Sequence, residues 1–296
     1  MILTINGLCV NPVLGSVRLE KHRGEAAATL IAALWQAAAD TYFLQLSLKV
    51  GDTVRLTEED GTERFLGAIH EISRTPEKVV LTAFDQGIYL ARNEVHGVFA
   101  GTGGEICRQA MSRLDIPIGE VDAKGDYQVI PAPGGINAFT LLRQAAGQDR
   151  EITLEAGRLV ARRQRSVTYL LRSEHIREIS ASADIRNLVN RCVVTDRKGR
   201  TAATVENRAD CEIYGSFQTV LGKSGDDPAT QAKNALKGRS MAAEVVLHGN
   251  MGYACGAYVR GQQPQWGLEG LYRVKAVAHC WEQGDFTTEL TLEGVE

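Results

Sequence analysis

The chain has 296 residues, of which 44% are hydrophobic, 23% charged and 6% aromatic. This length predicts two domains, or three small ones, and the composition excludes a disordered or fibrous protein. The 33 basic and 36 acidic residues give a net charge of -3, which argues against a dedicated nucleic-acid binder because phosphate contacts call for a basic excess.

The first third of the chain has the pattern of β strands. Residues 49–56 alternate apolar and polar side chains, and an Asp60-Gly61 turn follows them. Residues 65–72 predict the returning strand of this hairpin, and residues 79–84 predict a third strand.

Upstream of this hairpin, the segment 26–39 is ambiguous. Its alanine content favours a helix, because alanine has the highest helix propensity. The Thr29-Leu30-Ile31 core and the absence of an N-cap suit a buried strand instead. Periodicity alone does not decide between the two structures.

The middle of the chain, residues 97 to about 165, predicts a small α+β unit. Thr102 and Glu105 have the spacing of a capping box, and an amphipathic helix runs from there to Leu114. The other predicted elements are a strand at 126–130, a loop at 131–135, a helix at 138–146 capped by Asn137 and ended by Gly147, and a hairpin at 152–163 that turns at Ala156-Gly157.

The last third returns to strands. Asp227-Pro228 has the N-cap-then-N1 order that opens a helix, predicted at 229–241. The predicted strands are 188–195 and 201–206 around a Lys198-Gly199 turn, then 245–248, 258–259, 271–278 and 286–292. The order along the chain is therefore β-rich, α+β and β-rich.

Two glycine-rich segments approach nucleotide-binding motifs but lack a defining residue. A phosphate-binding loop at Gly222-Lys223-Ser224 would need a glycine where Phe217 stands. A dinucleotide fingerprint at 101–106 would need a third glycine where Ile106 stands. We interpret the first segment as a polar loop before a helix and the second as a helix cap.

The six cysteines and six histidines show no spacing typical of a metal site or a catalytic site. His279 and Cys280 are neighbours on a predicted strand, so they should point to opposite faces. No apolar run of about 18 residues predicts a membrane span, and the N-terminus lacks a secretion signal. We therefore predict no enzyme activity, no catalytic, cofactor-binding or metal-binding residues, no cofactor and no membrane partner.

The strongest charge feature is a series of arginines between residues 158 and 177. Glu155, Glu174 and Glu178 partly offset it, so a solvated hairpin is the default interpretation. Contact with an acidic partner is the alternative. The arginines are Arg158, Arg162, Arg163, Arg165, Arg172 and Arg177.

A series of segments follows in order along nearly the whole chain: 50–56, Asp60-Gly61, 65–67, 83–90, 105–114, 116–119, 190–194, 213–215, the helix from Ala229, 270–274, 279–281 and 287–290. Each segment alone is weak evidence for a relationship to a protein family. In this order and spacing they resemble the baseplate hub proteins of contractile-tailed phages and of PBSX-type defective prophages.

The resemblance implies a mainly β fold with an α+β middle. Two tube-type β-barrel domains, residues 1–96 and 181–296, would flank a small α+β domain at 97–180, with the helix near 229–241 inserted in the second barrel. It also implies that the segment from Ala28 to Trp35 is a strand, with tertiary context overriding alanine propensity. We adopt that prediction, and a helix across the segment would contradict it.

The implied function is that of a structural hub in the baseplate of a phage tail or a tail-like particle, assembled in the bacterial cytoplasm. Such hubs look like homotrimers whose two tube domains per subunit form a pseudo-sixfold ring. The ring would join the hexameric tail tube, or a tube-initiator protein, to the trimeric central spike, with baseplate wedge proteins around it. No specific nucleic acid is expected. If DNA passes through the lumen, a mildly acidic chain would not hold its phosphates, and clustered Arg and Lys in the lumen would contradict this.

Two alternatives remain. One is a cell-wall-binding tail protein, with the middle unit as a LysM-like glycan-binding module, or a peptidoglycan-active tail protein. The other is the spike-hub protein of a type VI secretion system. The second alternative is expected less than the phage-tail hub, because no spike or triangular β-helix follows in this sequence.

Overall fold

The computed structural model describes residues 1–37, 46–163, 167–224 and 227–295. The first elements are β1 (Ile2–Ile5), β2 (Leu8–Cys9), β3 (Leu14–His22), β4 (Thr29–Trp35), β5 (Thr53–Thr57), β6 (Glu63–Arg74) and β7 (Lys78–Asp85). The middle elements are α1 (Ile88–Arg92), β8 (Glu94–Gly101), α2 (Gly103–Ser112), β9 (Ile118–Val121), β10 (Gln128–Asn137), α3 (Ala138–Ala146), β11 (Arg150–Glu155) and β12 (Arg158–Arg163).

The last elements are β13 (Thr168–Leu170), β14 (Ile176–Asp184), β15 (Arg191–Thr195), β16 (Thr201–Glu206), α4 (Arg208–Tyr214), β17 (Gln218–Gly222), α5 (Pro228–Ala235), β18 (Ser240–His248), β19 (Tyr258–Gln263), β20 (Leu268–Glu282) and β21 (Asp285–Gly294). The mainly β character predicted from the sequence is confirmed. In the described part of the chain, no helix is long and apolar enough to cross a membrane.

A single sheet contains strands from both ends of the chain. Within the described residues it has 13 strands, in the order β14-β18-β21-β20-β3-β4-β7-β6-β5-β1-β2, with β19 and β13 attached beside β20. The long strand β20 makes the connection, because its second half, Ala276–Glu282, pairs antiparallel with Ser16–His22 of β3. The first and last parts of the chain therefore share one hydrogen-bonded sheet, which curls into half a barrel.

One face of this main sheet is buried from β18 to β1. Leu19 pairs with His279 and His279 pairs with Thr288, and all three side chains are buried. Since side chains alternate between the two faces of a strand, the register places the hydrophobic clusters of both chain ends on this same face. The cluster of the first part includes Leu30, Leu34, Leu56, Ile69 and Leu81, and that of the last part includes Val245, Leu247, Val259, Tyr272 and Leu290.

An aromatic seam lies between these two clusters. Trp281 packs against the first cluster and stacks on Phe286, with ring centroids 4.6 Å apart and planes at 6°. His279 lies beside both rings. At Gly249, an added Cβ would lie 2.1 Å from the Phe286 ring, so any larger residue would force the seam apart.

The segment between β7 and β13 has a core of its own. The ribbon β8–β10 and the sheet β11–β12–β9 enclose α2 and α3. The predicted capping box is confirmed: the backbone N–H of Thr102 donates to Glu105 Oε2 at 2.7 Å. The predicted cap of α3 is confirmed as well, since Asn137 Oδ1 accepts from the N–H of Thr140.

The strands β15, β16 and β17 form a small sheet outside the main sheet. Helix α5 covers this sheet, and Cys192, Val194 and Ala232 form its buried core. This insertion is attached through a two-stranded neck, in which Val189 and Lys237 exchange two backbone hydrogen bonds of 2.9 Å.

Of three predicted elements, one matches the structure and two differ from it. Strand β4 (Thr29–Trp35) forms where a strand was predicted from Ala28 to Trp35, and residues 38 and 39 of the ambiguous segment lie outside the described residues. The helix predicted at 229–241 ends at Ala235, because Lys237 pairs in the neck and Ser240 already begins β18. The loop predicted at 131–135 is wrong: these residues belong to β10.

The prolines of β10 are accommodated because β10 pairs with β8 alone, so its other edge needs no N–H donors. Pro131 lies opposite Val98, and the register shifts between Ala132 and Ile136. The predicted boundary between residues 180 and 181 falls inside β14, which pairs with β18 in the main sheet.

Candidate functional surface on the main sheet

No element of the described residues packs on the face of the main sheet opposite the two clusters, and we call it the open face. Its side chains follow from the pairing register, because directly opposed residues share a face. One row crosses six neighbouring strands and consists of His248, Thr287, Cys280, Arg18, Ile31 and Thr82.

Carboxylates are numerous on the open face. The register places there Glu20, Glu71, Glu178, Glu244, Glu282, Glu289 and Glu293. Two arginines on this face have a carboxylate partner: Arg55 lies 3.0 Å from Glu63, and Arg177 donates to Asp285. Carboxylates therefore lie next to these basic side chains on the open face.

Arg18 lies at the joint between the two ends of the chain. Its Nε donates to Glu20 Oε2 at 3.0 Å, and its terminal nitrogen donates to Glu289 Oε2 at 2.8 Å. Partial burial opposes the charge, but the hydrogen bonds to the two carboxylates outweigh it and raise the pKa of Arg18. Arg18 thus ties β3 to β21 across β20.

Cys280 contacts this network through its sulfur, 3.1 Å from the Arg18 guanidinium. Burial raises the pKa of the Cys280 thiol to about 11. The thiol is therefore protonated at neutral pH, which makes it a poor nucleophile. As predicted, its neighbour His279 points to the opposite, buried face.

The area of the open face that β4 and β7 form is more apolar than the rest of this face. Ile31 and Ala33 of β4 and Val80 of β7 are half-buried there. Trp35 closes the strand with 53% of its surface exposed.

The main sheet has a free edge at each end. At one end β14 has no outer partner among the described residues, and at the other end β2 covers only Thr4 and Ile5 of β1. Leu8 of β2 is 51% exposed. Unpaired N–H and C=O groups at such edges readily pair with another chain.

The arginine series of the sequence does not form one basic patch. Arg162 bridges Glu120 and Glu155, and Arg172 lies 3.5 Å from Glu174. Arg163 lies 3.9 Å from Asp149, Arg158 is exposed at the hairpin turn, and Arg165 lies outside the described residues. These pairs favour the solvated-hairpin interpretation.

Gly222 is the last residue of β17, and Lys223 and Ser224 follow it outside any strand or helix, which matches the interpreted polar loop in part. Two of its N–H groups are already used: that of Lys223 donates to Thr195 O at 2.8 Å, and that of Ser224 donates to Gln231 Oε1 at 3.1 Å. They cannot wrap a phosphate as well. Within the described ranges, no group of three or more His, Cys, Asp or Glu is placed to hold a metal ion.

The open face is the feature that sequence reasoning missed. It depends on contacts such as that between Arg18 and Cys280, which are 262 positions apart. The alternation within each strand was readable, but which strands lie side by side was not.

Comparisons with known proteins agree with this fold. A family model described as YQBQ-like matches residues 17–131, which run from β3 into β10. A search of the curated proteins gave no match.

Solved structures match over nearly the whole chain. The 43 kDa tail protein of prophage MuSo2 from Shewanella oneidensis has a TM-score of 0.75 and 14% identity, with 98% of this chain and 96% of that chain covered. A tail protein from Neisseria meningitidis has a TM-score of 0.65 and 13% identity, with coverages of 99% and 95%.

An E. coli component of the type VI secretion system, described as structurally similar to the T4 bacteriophage tail proteins gp27 and gp5, is also similar to this chain. Its TM-score is 0.53 at 11% identity, and 100% of this chain and 77% of that chain are covered. The resemblance to phage tail proteins that the sequence indicated is therefore confirmed, and the chain has their fold.

Proposed function

We propose that this protein is the structural hub of the baseplate in a contractile phage tail or a tail-like particle, where it joins the tail tube to the central spike. The observation that carries the proposal is the main sheet. Both ends of the chain contribute to it, one of its faces is buried from β18 to β1, and each of its ends is a free edge. The shared fold with phage tail proteins supports this assignment.

The sheet suggests how the hub would assemble. Residues 1–96 and 181–296 would each supply a tube-type β domain, with 97–180 between them and the small insertion carried by the second. Three copies would then present six such domains. Pairing of β14 in one copy with the β1–β2 edge of the next would close the ring, which removes the free edges.

The ring would act through its surfaces and not through catalysis. One rim would meet the hexameric tail tube or its initiator, the other the trimeric spike, and wedge proteins would contact the outside. The open face would line the lumen. Its carboxylates and carboxylate-paired arginines would not retain the phosphates of passing DNA.

Mass measurement in solution, alone and with a spike candidate, tests the proposal. We expect a trimer that binds the spike, and a stable monomer that ignores the spike would contradict the hub assignment. Leu8→Lys places a charge on the β2 edge and should shift the protein towards monomer. Val50→Lys, at a residue 66% exposed and outside the strands, is the matched control and should leave the trimer intact.

A type VI secretion hub is the second candidate, because the similarity to the E. coli component covers this whole chain. Binding separates the two candidates. A contractile-tail hub should co-purify with the tube protein of a phage tail, whereas a secretion hub should select the tube protein of the secretion system. Peptidoglycan pull-down and a zymogram test the cell-wall alternative, and a positive result in either would favour it.

A further inference from the structure

A small cavity lies where three parts of the chain meet. The end of β3 and the turn after it supply residues 21–25, the middle unit supplies Arg143 and Arg150, and the loop before β19 supplies Cys255. Its volume is about 40 Å³. A single water needs roughly 10–15 Å³ by this measure, so the cavity has room for a few waters or one small oxyanion.

Positive charge predominates around the cavity. Its lining includes the four cations Lys21, Arg23, Arg143 and Arg150, against the two carboxylates Glu25 and Glu151. Asp122 and Asp149 take up the charge of Arg150, and Glu151 lies 3.4 Å from the ammonium of Lys21.

The guanidinium groups of Arg23 and Arg143 differ from the charged groups of Arg150 and Lys21 in their partners. Neither forms an ion pair with a carboxylate of the described residues, although both line the cavity. A guanidinium presents several N–H donors in a planar fork, which suits the oxygens of a phosphate-like anion.

Arg143 is held in place before any ligand arrives. It lies over the Phe139 ring at 5.9 Å and donates to Gln148. Gly24 approaches it closely: its φ is +87°, and an added Cβ would lie 3.0 Å from the guanidinium. A side chain already fixed in this way loses little conformational freedom on binding an anion.

Cys255 adds no competing negative charge. Its thiol donates to the carbonyl of Lys275 at 3.3 Å, and burial raises its pKa to about 11. It is therefore neutral at physiological pH.

We propose that this cavity binds a tetrahedral oxyanion of the phosphate class, with Arg143 and Arg23 as its principal hydrogen-bond donors and Lys21 as a further charge. The bound anion joins the β3–β4 turn to the middle unit and so fixes the middle unit against the main sheet. This site is independent of the hub assignment, because it lies within one chain.

Inorganic phosphate is the probe, with sodium chloride at matched ionic strength as reference. Phosphate should raise the melting temperature of the full chain and bind in isothermal titration calorimetry. Arg143→Gln removes a charge-assisted donor and should weaken binding roughly tenfold or more. Arg158→Gln, at an exposed arginine of the β11–β12 turn, is the matched control and should bind phosphate as the wild type does.

Arg23→Gln is the second variant, because Arg23 is exposed and its replacement should not disturb folding. It should also bind phosphate more weakly. The proposal is overturned if phosphate stabilises no more than chloride does, or if the Arg23 variant and every Arg143 variant that folds bind phosphate as tightly as the wild type.

Discussion

At the scale of single residues, burial at the aromatic seam changes the pKa of His279. Its side chain is 5% exposed, and its Nδ1 lies 3.1 Å from the hydroxyl of Thr288. Burial, together with the positive charge of Arg64, lowers the pKa of His279 to about 4. The ring is therefore neutral in the folded protein throughout the physiological range.

This shift makes stability depend on pH. Below about pH 6.5 the unfolded chain takes up a proton that the folded chain refuses, so the free energy of unfolding should fall as the pH falls towards 4. The difference between the two pKa values corresponds to about 3 kcal/mol over that window. Urea unfolding of the wild type and of His279→Gln between pH 7 and 4 measures it.

The variant should lose most of this pH dependence. His96→Gln, at an exposed histidine of β8, is the matched control and should retain the wild-type slope. Equal slopes in the wild type and in His279→Gln would show that His279 is not the group that titrates.

At the scale of elements, helix starts were the most predictable features. Thr102 and Glu105 are three positions apart, so the capping box that opens α2 needs no distant partner. The Asp60-Gly61 turn is similar: Gly61 adopts φ +86°, which glycine accepts without strain.

Thr102→Ala should therefore lower the free energy of unfolding by about 1 kcal/mol, because the first turn of α2 loses its cap. Thr102→Ser keeps the hydroxyl and should stay close to the wild type. Chemical denaturation of the three proteins checks this, and an Ala variant as stable as the Ser variant would contradict it.

At the scale of the whole molecule, the pairing of β20 with β3 should make the two ends of the chain unfold together. Leu30→Ala leaves a cavity in the cluster of the first part and should cost about 3 kcal/mol. Because the sheet is shared, hydrogen-exchange protection should fall in β21 as well as in β4.

Val98→Ala is the control for this experiment, since Val98 is 62% exposed on the β8–β10 ribbon and its truncation should leave both strands protected. If Leu30→Ala lowers protection in β4 and leaves β21 unchanged, the two ends are separate folding units.

The sequence by itself determined the local structure: the strand alternation, the glycine turns, and the caps at Thr102 and Asn137. These signals rest on hydrogen bonds and backbone angles within a few residues, so neighbouring side chains contain all the information. Local patterns did not determine the structure of the segment from Ala28 to Trp35, because its residues alone also allowed a helix. The family resemblance favoured a strand, and the structure has strand β4 there.

Only the tertiary structure decided where α5 ends, that 131–135 belong to a strand, and that β3 lies against β20. In each case the deciding strand pairing joins residues far apart in the chain. Lys237 pairs with Val189, Pro131 lies opposite Val98, and Ala278 lies opposite Glu20. Their formation depends on how the whole chain buries its apolar faces, which no local pattern encodes. The open face and its free edges, on which the proposed function rests, are products of that packing.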